Sequence, residues 1–404
     1  MRQEVGKNLV FVLFDGIKNS VFQSQVLAPL MGMLDAHSTI QITLVSFEQK
    51  RPSDKDLISI IPAHERLHCV ISRRTPFVGK NGLKIASYQF GKLLAITQPD
   101  ELIARGPLAG FVLLHAMRQL VGWQKRHGNA SVAMPKITIQ ARGLCAEEYR
   151  YDRSFKRKSL LKSWLYKIVY GRLESIERDV FGTKFGLKDV VVEAVSPALK
   201  DYLIEQFQAD PRLITIASKD IPQTLAQPTV VQWRAEVRSQ LGIPSDAIVY
   251  CYSGSFKPWQ CAPQTVQFFV ERLRVEPKSF LLVLSGDHEI FAQELVKAQV
   301  PTDHFRVLSV KAAELYRYLA AADFGLLFRE RDVINWVSRP TKMLEYQAVG
   351  LPVLHNNTIA ILEKDERNVS SLQLCKRCQI SSNISKESCC ARSCSVPLSN
   401  CVSG

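Results

Sequence analysis

Residues 322–356, ADFGLLFRERDVINWVSRPTKMLEYQAVGLPVLHN, decide how the rest of the chain is read. An apolar run, Phe324 to Phe328, opens the stretch with the length of a buried parallel strand. A polar loop, Arg329 to Arg339, follows. Pro340 then stands where a helix can begin, because its fixed φ suits the first turn and its missing N–H costs nothing there. Thr341 to Val349 carries Met343, Leu344 and Ala348 at helical spacing, Gly350 closes the helix, and Pro352 to Leu354 starts the next strand. A helix placed this way starts at the carboxyl edge of a parallel sheet. Bare N–H groups and the positive end of the helix dipole gather there, beside Ser338, Thr341 and Lys342. Glu345 shares a helical face with Thr341 and Lys342. A cation and bare amides with a carboxylate one turn deeper suit a diphosphate joined to a diol sugar.

The segment SRPTKMLEYQAVGLPVL, residues 338–354, resembles the nucleotide-sugar signature of glycosyltransferase family 4, the group 1 glycosyl transferases of GT-B fold. The resemblance implies that Glu345 holds the ribose hydroxyls and that groups at the helix start, Lys342 among them, meet the diphosphate. The common signature carries a second Glu eight residues earlier, where this chain has Val337. A branch with R-E before a longer loop and P-T-K before the second Glu is closer, and by that likeness Glu330 takes the earlier role. Glu330, Lys342 and Glu345 are thus the expected catalytic set.

Outward from this stretch, alternating strand and helix patterns predict a parallel sheet covered on both faces. Ala247 to Tyr252 leads into Ser253, Gly254, Ser255, Phe256 and Lys257, and Phe280 to Leu284 leads into Ser285 and Gly286. Gly254 and Ser255 at a strand end permit close backbone approach to a phosphate, and Lys257 adds charge. Likeness to the family places Gly254, Ser255 and Lys257 toward the donor diphosphate and Ser285 and Gly286 toward the nucleobase. Ser338, Thr341, Lys342 and Glu345 complete the expected donor site.

The N-terminal half opens with a buried-strand pattern, Leu9 to Phe14, then a loop with Gly16 and Asn19, then helical spacing from Val21 with Ser20 as N-cap. No G-x-G-x-x-G is present, so a dinucleotide site is not indicated. The first segment reads as a strand and not as a signal peptide. Ile40 to Phe47 is a further strand, and Pro52 to Asp56 a hydrophilic turn. Strands end at Arg105-Gly106 and Arg142-Gly143, and a helix is expected from Leu108 to Val121. Family likeness assigns Gly16, Asn19, Arg105 and Arg142 to the acceptor side, against ordinary turns and ion-paired arginines as the bland reading. Asp54-Lys55-Asp56 matches D-x-D but follows no buried strand, and His64 and His68 lie in a surface segment better than in a zinc site. Arg150 to Arg172 holds eight basic residues and one acidic, interleaved with Leu161, Trp164, Leu165, Ile168 and Val169 at helical spacing. Such a helix either docks on an anionic membrane surface or packs on the sheet.

At 404 residues and 46% hydrophobic, the chain can bury two domain cores. Its apolar runs fall short of the roughly 18–20 residues that span a bilayer. The net charge of +14 favours anionic partners. Of ten cysteines, only Cys69, Cys145, Cys251 and Cys261 precede residue 375, scattered as in a reduced cytosolic protein. The remainder fall in a Ser-, Lys- and Cys-rich tail. There Cys375, Cys378, Cys390 and Cys394 can be written as a thiolate zinc site, but the spacing is loose and the flanks are low-complexity.

The expectation is α/β, with two Rossmann-like domains facing a cleft. Residues 1–220 form the acceptor-side domain and 221–229 the linker. Residues 230–360 form an incomplete donor domain, and 361–404 a disordered tail. The resemblance implies retaining, metal-independent transfer from a nucleoside-diphosphate sugar to a glycan or lipid-linked acceptor, in polysaccharide or cell-envelope glycan synthesis. No cofactor, no metal and no nucleic-acid partner are expected. The place is the cytoplasm, with a peripheral seat on the inner membrane face. A nucleotide-sugar epimerase, or an inactive binding protein that lost its C-terminus, is the alternative.

Overall fold

The computed structural model describes residues 6–19, 21–74, 79–127, 134–154, 160–182, 185–187, 190–218, 221–256, 260–363 and 367–370. The chain divides into two compact units, Met1–Ile221 and Pro222–Gly404.

The first unit is built on seven parallel strands: β1 (Asn8–Leu13), β2 (Gln41–Glu48), β3 (Leu67–Arg73), β4 (Glu101–Arg105), β5 (Lys136–Ala141), β6 (Val190–Ala194) and β7 (Ile214–Ile216). Their order is β3-β2-β1-β4-β5-β6-β7, so the winding reverses between β1 and β4. Leu9 to Leu13 are all buried, as a strand covered on both faces requires. Helix Gly106–Arg126 lies close over the sheet because Gly110 lacks a side chain. A Cβ there would sit 2.9 Å from Val180 Cγ1 and 3.1 Å from Ile139 Cγ2. That helix starts two residues before the expected Leu108.

Three local expectations are corrected. Pro52 to Asp56 is not a turn, because Ser53 caps a helix, Asp54–Ile60. Ser53 Oγ accepts from Asp56 N at 3.2 Å and the Asp56 carboxylate accepts from Ser53 N at 3.1 Å, a capping box that explains the acidic triplet. The helix after the first loop begins as a π-turn, Gln23–Leu27, before Ala28–Ala36. Pro29 has no N–H to give Gln25, and the ladder loosens around it. The basic segment is two helices, Cys145–Ser154 and Leu160–Phe181, rather than one. Ser20, Lys156, Arg157, Lys158 and the side chain of Leu161 lie outside the described residues. Trp164 and Leu165 are 59% and 48% exposed, so those two positions do not pack on the sheet.

In the second unit β8 (Ile248–Ser253), β9 (Ser279–Leu284), β10 (Phe305–Leu308), β11 (Phe324–Leu327), β12 (Val353–His355) and β13 (Val369–Ser370) are again all parallel. The order is β10-β9-β8-β11-β12-β13, with the reversal between β8 and β11. A charge network fastens helix Gln227–Leu241 to the sheet. Asp323 accepts from Arg238 Nη2 and from Val249 N, each at 2.8 Å, and from Arg234. Arg238 also donates from Nε to Ala321 O at 2.9 Å. This helix begins at Gln227, inside the expected linker. The expected tail boundary is also corrected. Ala360–Glu363 is helical, and Val369 and Ser370 pair with Leu354 and His355. Asn368 Oδ1 accepts from Val353 N at 3.1 Å. A two-residue strand is too short to show a pattern, so it was hidden among polar residues. Residues 371–404, with Cys375, Cys378, Cys390 and Cys394, lie outside the described residues.

Candidate functional site

Parallel α/β sheets bind ligands outside the carboxyl ends of their strands, where the winding reverses. In the second unit that point lies between β8 and β11, and the segments leaving both strands carry the expected donor residues. Loop 328–340 leaves β11 and is held at its start. Asn356 Oδ1 accepts from Arg329 N at 3.2 Å and its Nδ2 donates to Arg329 O at 2.8 Å. Within the loop, Asp332 caps a short helix, Val333–Trp336, and Asn335 Nδ2 donates to Glu330 O at 2.9 Å. Ser338 Oγ donates to Asn335 O at 2.8 Å, closing the turn before the next helix. Val337, where the common signature has a carboxylate, is 1% exposed and belongs to the core. A carboxylate there would lose its hydration without a partner.

Helix Thr341–Ala348 starts one residue after Pro340, which serves as N-cap. Its buried face is locked by Tyr346. The ring lies directly under Gly325, where any Cβ would collide with it, and the hydroxyl accepts from Ser253 N at 3.1 Å. Lys342 is thereby turned inward and is 8% exposed. Its Nζ donates to Gln260 Oε1 at 3.0 Å and lies 4.3 Å from the centroid of the Tyr252 ring, within cation–π range. Burial, and then the Arg329 guanidinium, push the ammonium pKa well below its ordinary value, against a smaller opposing pull from Glu345. Glu345 is half-buried, and burial raises its carboxyl while Lys342 holds it down. Among the described residues no carboxylate lies within ion-pair distance of Lys342.

Gly254 meets this ammonium directly. Its φ of +137° is rarely open to other residues, and a Cβ would lie 2.8 Å from Lys342 Nζ. Its own amide is spent on Leu284 O at 3.0 Å. The glycine is therefore needed to admit Lys342, a requirement separate from the backbone approach to a phosphate expected of it. Ser255 Oγ accepts from Gln260 Nε2 at 3.1 Å. Ser285 Oγ accepts from Asp287 N at 3.0 Å, and Asp287 accepts from Phe256 N at 2.8 Å. Ser285 and Gly286 thus shape the turn that braces the Gly254 loop. Lys257 lies outside the described residues. The structure brings Gly254, Ser255, Lys342 and Glu345 together. It adds Tyr252, Gln260, Arg329 and Asn356, which no local pattern had marked. Glu330 is half-buried in the same loop, and the Cys261 thiol is raised by its own burial and then by the Glu330 charge.

In the first unit the reversal point lies between β1 and β4. Gly16, φ +84°, turns the chain over Glu48, whose Oε1 accepts from Ile17 N at 2.8 Å and from Ser46 Oγ at 2.6 Å. Asn19 Oδ1 accepts from Val21 N at 3.1 Å, starting the next helix. Arg105 is nearly buried and donates to Gln25 Oε1. Arg142 Nη2 lies 3.7 Å from Glu193 Oε2. Gly16 lies in the loop after β1 and Arg105 ends β4, the two strands at the reversal, whereas Arg142 follows β5, one strand further along. His64 Nδ1 accepts from Arg66 N at 3.1 Å, while His68 sits in β3, so the two do not converge as ligands.

No protein-family model matches the chain, and no curated protein does. Solved structures do. A glycosyltransferase from Rickettsia africae is 11% identical, with a TM-score of 0.59 over 93% of this chain and 88% of its own. WaaG, a glycosyltransferase involved in lipopolysaccharide biosynthesis, is 12% identical, with a TM-score of 0.57 over 93% of this chain and 91% of its own. HepE from Anabaena, solved with UDP-glucose, is 12% identical, with a TM-score of 0.55 over 92% and 89%. Two parallel α/β sheets of seven and six strands, shared with these proteins along most of the chain, give this protein the GT-B fold.

Proposed function

We propose that this protein is a glycosyltransferase that moves a sugar from a nucleoside-diphosphate sugar to a hydroxylated acceptor, glycan or lipid-linked. The observation that carries this reading is the Lys342 ammonium. It is buried at the strand-end reversal with a neutral oxygen as partner and the Arg329 guanidinium near enough to oppose its charge. An ammonium buried beside a guanidinium is stabilised by an anionic ligand, and a diphosphate meets that need. Glu345, one turn deeper, accepts the ribose hydroxyls. In the transfer the same cations stabilise the diphosphate as the bond to the sugar breaks. Complexes of a fold neighbour, HepE, with UDP-glucose support this class of donor.

The finer reading follows family 4: retention, no metal, and Glu330, Lys342 and Glu345 as the reacting-side set. The remaining donor groups are Gly254, Ser255, Lys257, Ser285, Gly286, Ser338 and Thr341. Gly16, Asn19, Arg105 and Arg142 serve the acceptor. We place the protein in polysaccharide or cell-envelope glycan synthesis, at the cytoplasmic face of a membrane. Exposed Trp164 and Leu165 in the basic first half of helix Leu160–Phe181 support the membrane seat.

A thermal-shift panel of nucleoside-diphosphate sugars tests the core of this. A ligand at 100 times its dissociation constant adds about 2.7 kcal/mol of stability. One sugar nucleotide is expected to raise the midpoint clearly above its free nucleoside. A flat panel at millimolar ligand would overturn the reading.

A further inference from the structure

Buried lysines are ordinarily matched by a carboxylate, since an unpaired ammonium away from water is costly. Here the matching position holds a neutral amide. Gln260 stands at the start of the segment after the Gly254 loop, and its side chain spans two partners. Lys342 Nζ can only donate, so the oxygen of the amide must face it, at 3.0 Å. The amide nitrogen then faces Ser255 Oγ at 3.1 Å, and the Tyr252 hydroxyl lies 3.4 Å from the same Oε1. Gln260 thus ties the ammonium to the Gly254–Ser255 turn without cancelling its charge. The other groups acting on Lys342 are Arg329 from the β11 loop, Glu345 from its own helix, and the thiols Cys251 and Cys261.

We propose that Gln260 is a positioning residue. Its neutral amide aims the Lys342 ammonium at the Gly254 turn and keeps that charge available for the diphosphate of the donor. The proposal rests on the donor-site reading above and deepens it. Lys342 brings a cation to the strand-end glycine from a helix far along the chain, and Gly254 and Gln260 make that approach possible: one leaves room for the ammonium and the other orients it.

The test compares Gln260→Glu, Gln260→Met and Lys342→Ala, titrated with inorganic pyrophosphate and with UDP, GDP and ADP beside their nucleosides. Gln260→Glu supplies the missing carboxylate. It is expected to raise the thermal midpoint or leave it unchanged while weakening diphosphate binding at least tenfold and nucleoside binding hardly at all. Gln260→Met keeps the volume but removes the tether, and is expected to weaken diphosphate binding several-fold. A scaffold role would instead move stability and affinity down together for every ligand. If Gln260→Glu and Gln260→Met bind diphosphates as the wild type does while Lys342→Ala does not, the positioning role is wrong and the donor site stands. If Lys342→Ala also binds normally, both readings fall.

Discussion

The two units place cations at corresponding points of their sheets and treat them in opposite ways. In the first, Arg105 at the β1–β4 reversal donates to Gln25 and lies near Asp15, whose carboxyl burial raises and Arg105 pulls back down, while Arg142, just past the next strand, leans on Glu193. In the second, Lys342 at the β8–β11 reversal meets only a neutral oxygen and a ring face among its described contacts. The bulk charge runs the other way. Residues 1–221 hold 32 Lys and Arg against 21 Asp and Glu, and residues 222–404 hold 20 against 17. Net charge therefore does not point to the proposed small-anion site. Local pairing does, because a paired cation has already spent its field and an unpaired buried one has not.

The sharpest contrast lies within the second unit. Asp323 pairs with Arg234 and Arg238 and caps Val249 N. Asp323→Ala should cost about 2–4 kcal/mol of stability, reading the loss of a partly buried pair conservatively. Diphosphate affinity of the folded fraction should not change. Denaturant unfolding with calorimetric titration checks both, and an affinity loss would mean that paired and unpaired cations are not separable here.

Lys342→Ala is the complementary change. Diphosphate affinity should fall by about 1.5–3 kcal/mol, as expected for a charge-assisted contact. Nucleoside binding should be nearly unaffected, and stability should not fall. The buried ammonium also sets a pH signature. Its folded-state pKa is depressed, so the unfolded chain holds the extra proton in the window below the lysine's ordinary value, and stability rises with pH there. Anion binding favours the charged form, so diphosphate affinity should fall as pH rises through the depressed pKa. Lys342→Arg, which does not titrate, should flatten that fall. A pH-independent wild type would show that this lysine is not the anion's partner.

Glu345→Ala should weaken nucleotide and nucleoside alike, by about 1–2 kcal/mol for lost hydrogen bonds to a carboxylate. A 2′,3′-dideoxy nucleotide, already lacking the hydroxyls, should lose much less. Equal losses for all three ligands would make Glu345 a structural residue.

Lys342 and Glu345 were legible in the sequence because helix periodicity and a start signal put them together on one element. β1, β8, β9 and β11 were legible as unbroken apolar runs, the mark of strands covered on both faces. β3, LHCVISR, was not. As a half-exposed edge strand it mixes polar and apolar positions and carries no run. Gln260, Tyr252, Arg329 and Asn356 were invisible for a different reason: what unites them is the winding of the sheet, which brings β8 beside β11 across more than seventy residues of chain. That Gly254 makes room for Lys342 was invisible for the same reason, since the two lie far apart along the sequence.

The smallest expected effect tests the other side of the comparison, that the charge of the first unit serves a broad surface and not a small ligand. Among the described residues no helix is long and apolar enough to cross a membrane. Trp164 and Leu165 are exposed on helix Leu160–Phe181, which also carries Lys167 and Arg172. Burying such side chains at an interface contributes about 1–2 kcal/mol each at most, and surface charge adds an attraction that salt screens over roughly 10 Å. Binding to vesicles containing anionic lipid should be measurable at low salt, and it should decline as salt is raised. Trp164→Ser with Leu165→Ser should reduce it several-fold without changing the salt slope. Lys156, Arg157 and Lys158 changed together to Ser should lower the slope itself. Equal binding to neutral and anionic vesicles would remove the electrostatic part. Unchanged binding by the Trp164 and Leu165 double variant would mean that the exposed apolar pair faces something other than lipid.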